Sequence, residues 1–437
     1  MELSELYPHS ASKSVKWSPD GKFIAVALNY RLLIRETANL GVTSLFSCNA
    51  DIGDLEWSPD GDYVACLIPK RSMVQIWCAT KSTKSGNEWS CKIEESIAGC
   101  TSVRWSPDSR HVLTVSDFQM RLTVWSVVDR SSMHIHHPKS SSQGISFNKS
   151  GVYLAVLQRK DSKDMVSIYS TDNWENVSTF TLDTFDAVDL AWASDDTCLC
   201  VWDNCVNYKI CVYSLNGGKL YEYQAYEHAL GIKSVQWSCT TSQMLAVGSY
   251  DQKVRLLNPL TKKCMMEWNH SAPLSRANTT VYRESPSDSP YEPINYVIDS
   301  SATMTLPSTK PPTDQANPKM GVSWIRWSPS GRYIASKNDN TPNVIFIWTV
   351  TKSHPSCVLL HRSPVKTAAW DPSHDRLVIS CGESVIYFWT PNSASCVPIP
   401  GGTMVQSLTW RGDGEAIGLV DKSQYCVCYL DPDENLV

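Results

Sequence analysis

Trp17-Ser18-Pro19-Asp20-Gly21 is the stretch that decides the fold, because its pattern returns along the chain. Trp57-Ser58-Pro59-Asp60-Gly61 repeats it letter for letter, and a short apolar run follows each copy. Serine, proline, aspartate and glycine in this order are typical of a type I turn, in which proline presets φ and glycine closes the turn. The repeated stretch therefore predicts two β-strands joined by a tight turn.

Looser versions of this stretch begin at Trp105, Phe147, Trp192, Trp237, Trp327, Trp370 and Trp410. Successive spacings are 40, 48, 42, 45, 45, 90, 43 and 40 residues, which gives nine repeats with one long interval. Short strands at a period of about 40–45 residues indicate four-stranded propeller blades. We predict an all-β propeller of nine blades over residues 1–437, either as one closed nine-bladed ring or as two smaller propellers. The recurring aromatic residues are then mostly core between blades.

The two ends of the chain complement each other. The ninth repeat contains three apolar runs and lacks a fourth, whereas residues 1–10 precede the first repeat and contain Leu3, Leu6 and Tyr7. An unpaired edge strand favours association with another strand. We therefore expect residues 1–10 to complete the last blade.

Composition narrows the classes of function. The 437 residues carry a formal net charge of −5 and have no basic stripe, which argues against nucleic-acid binding. No apolar stretch reaches about 18 residues and no secretory signal is present, so we expect a cytoplasmic protein without a membrane partner. The 16 cysteines are scattered without a C-x-x-C pair, which favours reduced, buried thiols over zinc or disulfides.

Signatures of catalysis are missing from the sequence. It contains no P-loop, G-x-S-x-G, H-E-x-x-H or G-x-G-x-x-G motif. His134 and His136 would share one face of a strand, but no acidic or thiol ligand follows nearby, so we interpret them as part of a solvated outer strand. We predict no catalytic residues, no metal and no cofactor.

Residues 271–320 fill the long interval between blades six and seven and are rich in serine, threonine and proline. Such a composition is typical of a mobile surface loop that buries no core, although residues 291–298 could add an edge strand. Ser285 and Ser289 each precede a proline, as proline-directed kinases require. Two interpretations stay open: a phosphorylated switch, or an unregulated linker.

The repeats resemble the WD-repeat family. Gly248-Ser249-Tyr250-Asp251 reads like the end of one such repeat, although Leu257 stands where the family usually has tryptophan. His228 occupies the place of the histidine of the family's Gly-His pair, and Asp251 that of its turn aspartate. In this family such residues form hydrogen bonds within a blade, so they imply structure rather than a binding site.

A closer resemblance is to the WD repeat-containing protein 8 family, the centrosomal WD-repeat scaffolds encoded antisense to the p-seventy-three gene. Its most specific pieces are Ala316-Asn317-Pro318-Lys319 and Asn338-Asp339-Asn340-x-Pro342-Asn343. The resemblance implies a non-enzymatic protein of the cytoskeleton at the centrosome, centriolar satellites and spindle pole. It implies a coiled-coil partner of the synovial-sarcoma-X-breakpoint-interacting type, and roles in anchoring microtubule minus ends, spindle assembly and cilium formation.

The two specific loops are our candidate partner-binding residues: Ala316, Asn317, Pro318, Lys319, Asn338, Asp339, Asn340, Pro342 and Asn343. A purely architectural role, in which asparagines cap turns and prolines hold them, is the alternative. Two rival functions also stay open. One is a propeller that binds ribosomal components or initiation factors, and the other is a propeller hydrolase.

Overall fold

The structure, a computed structural model, describes residues 1–10, 14–79, 89–95, 99–116, 121–240, 243–270, 273–275, 279–285, 294–299, 303–311 and 318–430. These residues form 41 strands and two short 3₁₀ turns, Pro69–Arg71 and Pro400–Gly402. Within the same ranges, no helix has the length and apolar character needed to cross a membrane. The strands belong to two compact units.

Unit 1 covers residues 1–182 and 409–432 and contains blades one to four and the greater part of blade nine. In blades one to four, four strands pair antiparallel in chain order. Blade one is β3 (Val15–Trp17), β4 (Phe23–Leu28), β5 (Arg31–Glu36) and β6 (Val42–Ser47). Blade two is β7 (Asp54–Trp57), β8 (Tyr63–Ile68), β9 (Met73–Cys78) and β10 (Ser90–Glu94). Blade three is β11 (Ser102–Trp105), β12 (His111–Ser116), β13 (Arg121–Ser126) and β14 (Ser132–His136). Blade four is β15 (Ile145–Phe147), β16 (Tyr153–Lys160), β17 (Lys163–Ser170) and β18 (Asn176–Thr181).

Blade nine joins both ends of the chain. It consists of β39 (Ser407–Trp410), β40 (Ala416–Val420) and β41 (Gln424–Tyr429), and β1 (Glu2–Leu3) and β2 (Tyr7–Pro8) both pair antiparallel with β41. The Ser4 N–H donates to the Val427 carbonyl at 2.9 Å, and the rings of Tyr7 and Tyr425 lie 5.7 Å apart. The N-terminal strands thus occupy the place of the fourth strand that this repeat lacks.

Unit 2 covers residues 183–408 and contains blades five to eight. Blade five is β19 (Ala187–Trp192), β20 (Cys198–Asp203), β21 (Ile210–Ser214) and β22 (Lys219–Tyr223). Blade six is β23 (Ile232–Trp237), β24 (Leu245–Ser249), β25 (Lys253–Asn258) and β26 (Lys263–Asn269). Blade seven is β31 (Val322–Trp327), β32 (Tyr333–Asn338), β33 (Val344–Thr349) and β34 (Pro355–Leu360). Blade eight is β35 (Thr367–Trp370), β36 (Leu377–Ser380), β37 (Val385–Trp389) and β38 (Ala394–Pro398). The prediction of an all-β chain of nine repeats is confirmed.

The repeated stretch forms the turn that its residue types predict. The Ser18 hydroxyl accepts a hydrogen bond from the Phe23 N–H at 2.9 Å and donates to the Asp20 carboxylate at 2.6 Å. The Gly21 N–H closes the turn onto the Ser18 carbonyl at 2.9 Å, and Gly21 has a φ of +71°, where glycine avoids a steric cost. The second copy, at residues 57–61, is closed in the same way.

Within each unit, several of the tryptophans that precede these turns also link their blade to the preceding one. Each indole N–H donates to the main-chain carbonyl of the residue before the corresponding aromatic position in that blade. Clear examples are Trp57 to Lys16 at 3.0 Å, Trp105 to Glu56 at 3.1 Å, Trp237 to Ala191 at 3.1 Å and Trp370 to Arg326 at 3.1 Å. The aromatic residues are therefore more than apolar packing, because a phenylalanine cannot make this bond.

The interval between blades six and seven corrects one expectation. It contains β27 (Pro273–Ser275), β28 (Thr280–Glu284), β29 (Tyr296–Ile298) and β30 (Thr303–Thr305). Strand β28 pairs parallel with β34, and β29 pairs antiparallel with β28, so blade seven becomes a six-stranded sheet. Val281 and Leu306 are each only 1% exposed. The expectation that residues 271–320 bury no core is wrong for the described part, because a few well-placed apolar side chains suffice to seat a strand.

A candidate partner-binding surface

The loops of unit 2 fall into two sets at opposite ends of its sheets. Because neighbouring strands run in opposite directions, the loop that enters the first strand lies at the same end as the loop that joins the second and third strands. We call this set the loop end of unit 2. It includes residues 183–186, 204–209, 224–231, 318–321 and 339–343.

The asparagines of the candidate loop hold their own turn together. Asn338 is fully buried, and its side-chain amide donates to the side-chain oxygen of Gln252 at 3.0 Å. Asn340 is also buried, and its side-chain oxygen accepts the Gly321 N–H at 2.9 Å. The main-chain N–H of Asn340 donates in turn to the Asn338 side-chain oxygen at 3.3 Å. These contacts favour the architectural role for Asn338 and Asn340.

Asp339 connects the same loop to its neighbours. Its carboxylate accepts the Lys233 ammonium at 2.8 Å and the Ser323 hydroxyl at 2.6 Å. The Lys233 ammonium also donates to the Met320 carbonyl at 2.7 Å and lies 4.9 Å from the centroid of the Tyr250 ring. The side chains of Lys233 and Asp339 are 17% and 21% exposed, so this ion pair is partly shielded from water.

The other candidate residues differ in exposure. Pro318 is buried and Lys319 is exposed, whereas Pro342 and Asn343 are half-buried. The Asn343 side-chain amide donates to the Arg362 carbonyl at 2.7 Å, which ties it to the loop that enters blade eight. Ala316, Asn317 and Ser289 lie outside the described residues. The structure thus gathers Lys319, Asp339, Pro342 and Asn343, all at least partly exposed, at one end of unit 2.

The buried histidine that bonds to a blade is His270, and not His228, which the sequence indicated. His228 has a side chain that is 94% exposed. His270 instead takes part in a buried hydrogen-bond network with Ser336 and Trp348 of blade seven. Its Nε2 lies 2.7 Å from the Ser336 hydroxyl oxygen, which also accepts the Trp348 indole N–H at 2.8 Å. Burial lowers the pKa of His270 to about 4, so the ring is neutral at physiological pH.

Sequence spacing missed His270 because the interval of residues 271–320 separates it from blade seven. A search nine residues before Trp327 lands at Pro318 instead. The signal that could have found it is the position of His270 directly after β26, the outer strand of blade six. In blade six, Asp251 does accept a hydrogen bond within the blade, from Arg255 at 2.6 Å.

Sequence analysis also missed an open apolar groove at the loop end. It is lined by Phe185, Val206, Asn207, Gln224, Glu227, His228, Ala229 and Leu230, and its volume is about 870 Å³. Phe185 is 76% exposed and Val206 is 66% exposed. Large apolar side chains that cluster on a surface mark interaction sites more often than scattered ones do. The signal in the sequence was the long turn at residues 203–207.

The backbone beneath this groove is held firmly. The buried Asp203 carboxylate accepts the Phe185 N–H at 3.1 Å and the Asn207 side-chain amide at 2.8 Å. The Gly231 N–H donates to the Cys205 carbonyl at 2.7 Å. A Cβ on Gly231 would lie 2.5 Å from the Asn207 carbonyl oxygen, so only glycine fits there. Such a preorganised surface loses little conformational entropy when a partner binds.

The parts of the chain described by the structure contain no group of three or more histidine, cysteine, aspartate or glutamate side chains that could hold a metal ion. His134 and His136 lie on β14, with ring centroids 6.4 Å apart, and His134 Nδ1 lies 3.3 Å from the Thr123 hydroxyl. Among the described residues, these two imidazoles belong to no group of three potential ligands that could hold a metal ion.

Residues 91–123 match the family described as WD domain, G-beta repeat, and this segment runs from β10 into β13. WD repeat-containing protein WRAP73 of Mus musculus is 38% identical over 447 residues, which cover 96% of this chain and 94% of the mouse protein. This chain belongs to the WRAP73 family. The resemblance to the WD repeat-containing protein 8 family is thereby confirmed, since both names denote the same family.

Two more distant matches are also WD-repeat proteins. An uncharacterized WD repeat-containing protein of Schizosaccharomyces pombe is 23% identical over 360 residues, covering 77% of this chain and 72% of its own length. The C-terminal WD40 domain of Sif2 superposes with a TM-score of 0.53 at 12% identity and covers 98% of both chains. At that identity the Sif2 likeness supports the propeller fold alone.

Proposed function

We propose that this WRAP73-family chain is a non-enzymatic interaction scaffold whose loop end of unit 2 docks a helical partner. The observation that supports the proposal is the apolar groove, where Phe185 and Val206 project from a backbone fixed by Asp203. An amphipathic helix or coiled coil buries a stripe of apolar side chains in such a groove. Lys319, Asp339 and Asn343 lie on loops at the same end and offer polar contacts for the partner's flanks.

The cellular role proposed for this scaffold rests on its family. We infer that it works at the centrosome and spindle pole with a coiled-coil partner of the synovial-sarcoma-X-breakpoint-interacting type. There it anchors microtubule minus ends, supports spindle assembly and takes part in cilium formation. Support comes from 38% identity to mouse WRAP73 over nearly the whole chain, together with the loops at residues 316–319 and 338–343.

The test is co-purification of the tagged full-length protein from cells at moderate salt, followed by identification of bound proteins. We expect recovery of the coiled-coil centrosomal partner with the wild-type chain and at least a tenfold loss with Phe185→Ser combined with Val206→Ser. Each substitution removes an exposed apolar side chain, so stability should stay within about 0.5 kcal/mol. Leu260→Ser is the matched control, because Leu260 is 72% exposed in the loop between the third and fourth strands of blade six, away from the groove.

Two results would contradict the proposal. Ribosomal proteins or initiation factors as the main partners would favour the rival propeller function. Retention of the coiled-coil partner by the double variant would place the binding surface elsewhere on the chain.

A further inference from the structure

The inserted strand β28 presents two distinct faces. Side chains alternate along a strand, so Val281, Arg283 and Ser285 share one face while Tyr282 and Glu284 share the other. Val281 packs with Leu306, Leu360 and Met304, and Tyr282 packs with Tyr296 and the aromatic core of blade eight. Ser285, directly after the strand, therefore faces the same side as Arg283.

The parallel register brings a second arginine to this face. Arg283 pairs with Leu360 in β34, and continuing that register by two residues places Ser285 beside Arg362. The Arg362 N–H donates to the Glu284 carboxylate at 2.9 Å, so the two segments stay adjacent beyond the ends of the strands. Adjacent strands lie about 4.8 Å apart, and residues two apart on one strand about 6.6 Å, so both guanidinium groups can reach a group on Ser285.

Both arginines are available as cations. Both residues are exposed, and the charge of Arg362 acts on the neighbouring Glu284 carboxyl. They line one cavity of about 660 Å³ together with Met304, Pro307 and Leu360. Asp299 and Glu284 line the same cavity and carry the opposing charge. Burial raises the pKa of the Glu284 carboxyl and lowers the pKa of His361 beside it to about 3, so the buried side contributes no cation.

We propose that Ser285 is a phosphorylation site whose phosphate is bound by Arg283 and Arg362. In the modification the Ser285 hydroxyl oxygen forms a bond to the γ-phosphorus of ATP, the bond from that phosphorus to the bridging oxygen breaks, ADP leaves, and the hydroxyl proton passes to the kinase or to water. Pro286 follows Ser285 in the sequence, as a proline-directed kinase requires. The phosphate carries about −1.5 to −2 charges at pH 7 and suits the bidentate donors of arginine.

The consequence is a new link between the insertion and blade seven. Arg283 belongs to the inserted strand and Arg362 to the loop after β34, so one phosphate bound by both would fasten the insertion to the blade. This inference concerns a modification site and stands apart from the proposed groove, because neither Arg283 nor Arg362 lines that groove.

The experiment uses the full chain in two steps. First, the folded protein is incubated with ATP and a proline-directed kinase, and mass spectrometry is used to locate the phosphate. Second, phosphoserine is installed at position 285 during synthesis, and the phosphate is titrated by ³¹P NMR. We expect modification at Ser285 and a second phosphate pKa at least about half a unit below its ordinary value of about 6, because two cations at about 5 Å favour the dianion.

Matched variants decide whether the two arginines cause the shift. Arg283→Gln and Arg362→Gln should each return the phosphate pKa part of the way to its ordinary value, and both together should restore it. Arg332→Gln is the control, since Arg332 is an exposed arginine that pairs with Asp375 at 2.9 Å. A Ser285 left unmodified in the folded chain would overturn the proposal. A phosphate pKa near 6 in the wild type, or one that the double variant leaves lowered, would overturn it as well.

Discussion

At the scale of single residues, local chemistry explains why the repeat could be found in the sequence. Ser18, Asp20 and Gly21 bond to one another and to Phe23 within one turn, so their order alone predicts the structure. Trp105 shows what the local order of residues does not predict. Its position predicted packing between blades, but its indole bond to the Glu56 carbonyl depends on a residue 49 positions away. A partner that is distant in sequence leaves no local signature.

Buried histidines give unit 2 a predictable dependence on pH. His270 and His361 are both neutral in the fold, since burial lowers their pKa values to about 4 and about 3. An unfolded histidine has a pKa of about 6.5. As the pH falls from about 6.5 to about 4, the unfolded state therefore binds protons that the folded state excludes, and stability falls by up to about 1.4 kcal/mol per pH unit for each histidine.

We expect His270→Gln to remove the contribution of one histidine from this slope, in addition to any loss of stability at pH 7. The measurement is the free energy of unfolding by urea at several values between pH 4.5 and pH 7. His228→Gln is the control, because its side chain is 94% exposed and its loss should leave the slope unchanged. Equal slopes for His270→Gln and the wild type would show that His270 is not held neutral by the fold.

At the scale of elements, the blades were predictable, and so was an edge strand within residues 291–298, where β29 lies, but β28 was not. Each blade repeats an apolar run of regular length between turn residues, and that period is visible without any knowledge of contacts. The composition of residues 271–320 is polar on average. Val281, Tyr282 and Tyr296 nevertheless supply enough apolar surface for β28 and β29 to join blade seven. Composition describes a segment as a whole, whereas strand addition depends on which few side chains meet an existing edge.

The seating of β28 can be tested by charging its buried face. We expect Val281→Asp to release the strand, because an unpaired carboxylate in an apolar cluster costs well over 1.4 kcal/mol. Hydrogen exchange at the amides of β34 should then accelerate by at least about tenfold while exchange in blade five stays unchanged. Val297→Asp on the neighbouring β29 is the matched control, since Val297 is 54% exposed. Equal protection of β34 in the two variants would mean that β28 contributes nothing to the sheet.

At the scale of the whole molecule, sequence established the class of protein better than the place where it binds. The nine-repeat propeller and the WRAP73 family were both reached from motifs. The family motifs also directed attention to Asn338 and Asn340, which are buried in their own loop. The groove at Phe185 and Val206 was not predicted, because exposure is a property of the folded surface. The sequence of a turn does not show whether an apolar residue in it is buried or exposed.

The most direct test of the scaffold proposal is imaging of the fluorescently tagged full-length protein in dividing cells. The wild type and Leu260→Ser should concentrate at both spindle poles, whereas the Phe185→Ser, Val206→Ser variant should be diffuse at equal abundance. A wild-type protein absent from the poles, or a double variant that still concentrates there, would contradict a scaffold that reaches the spindle pole through the loop end of unit 2.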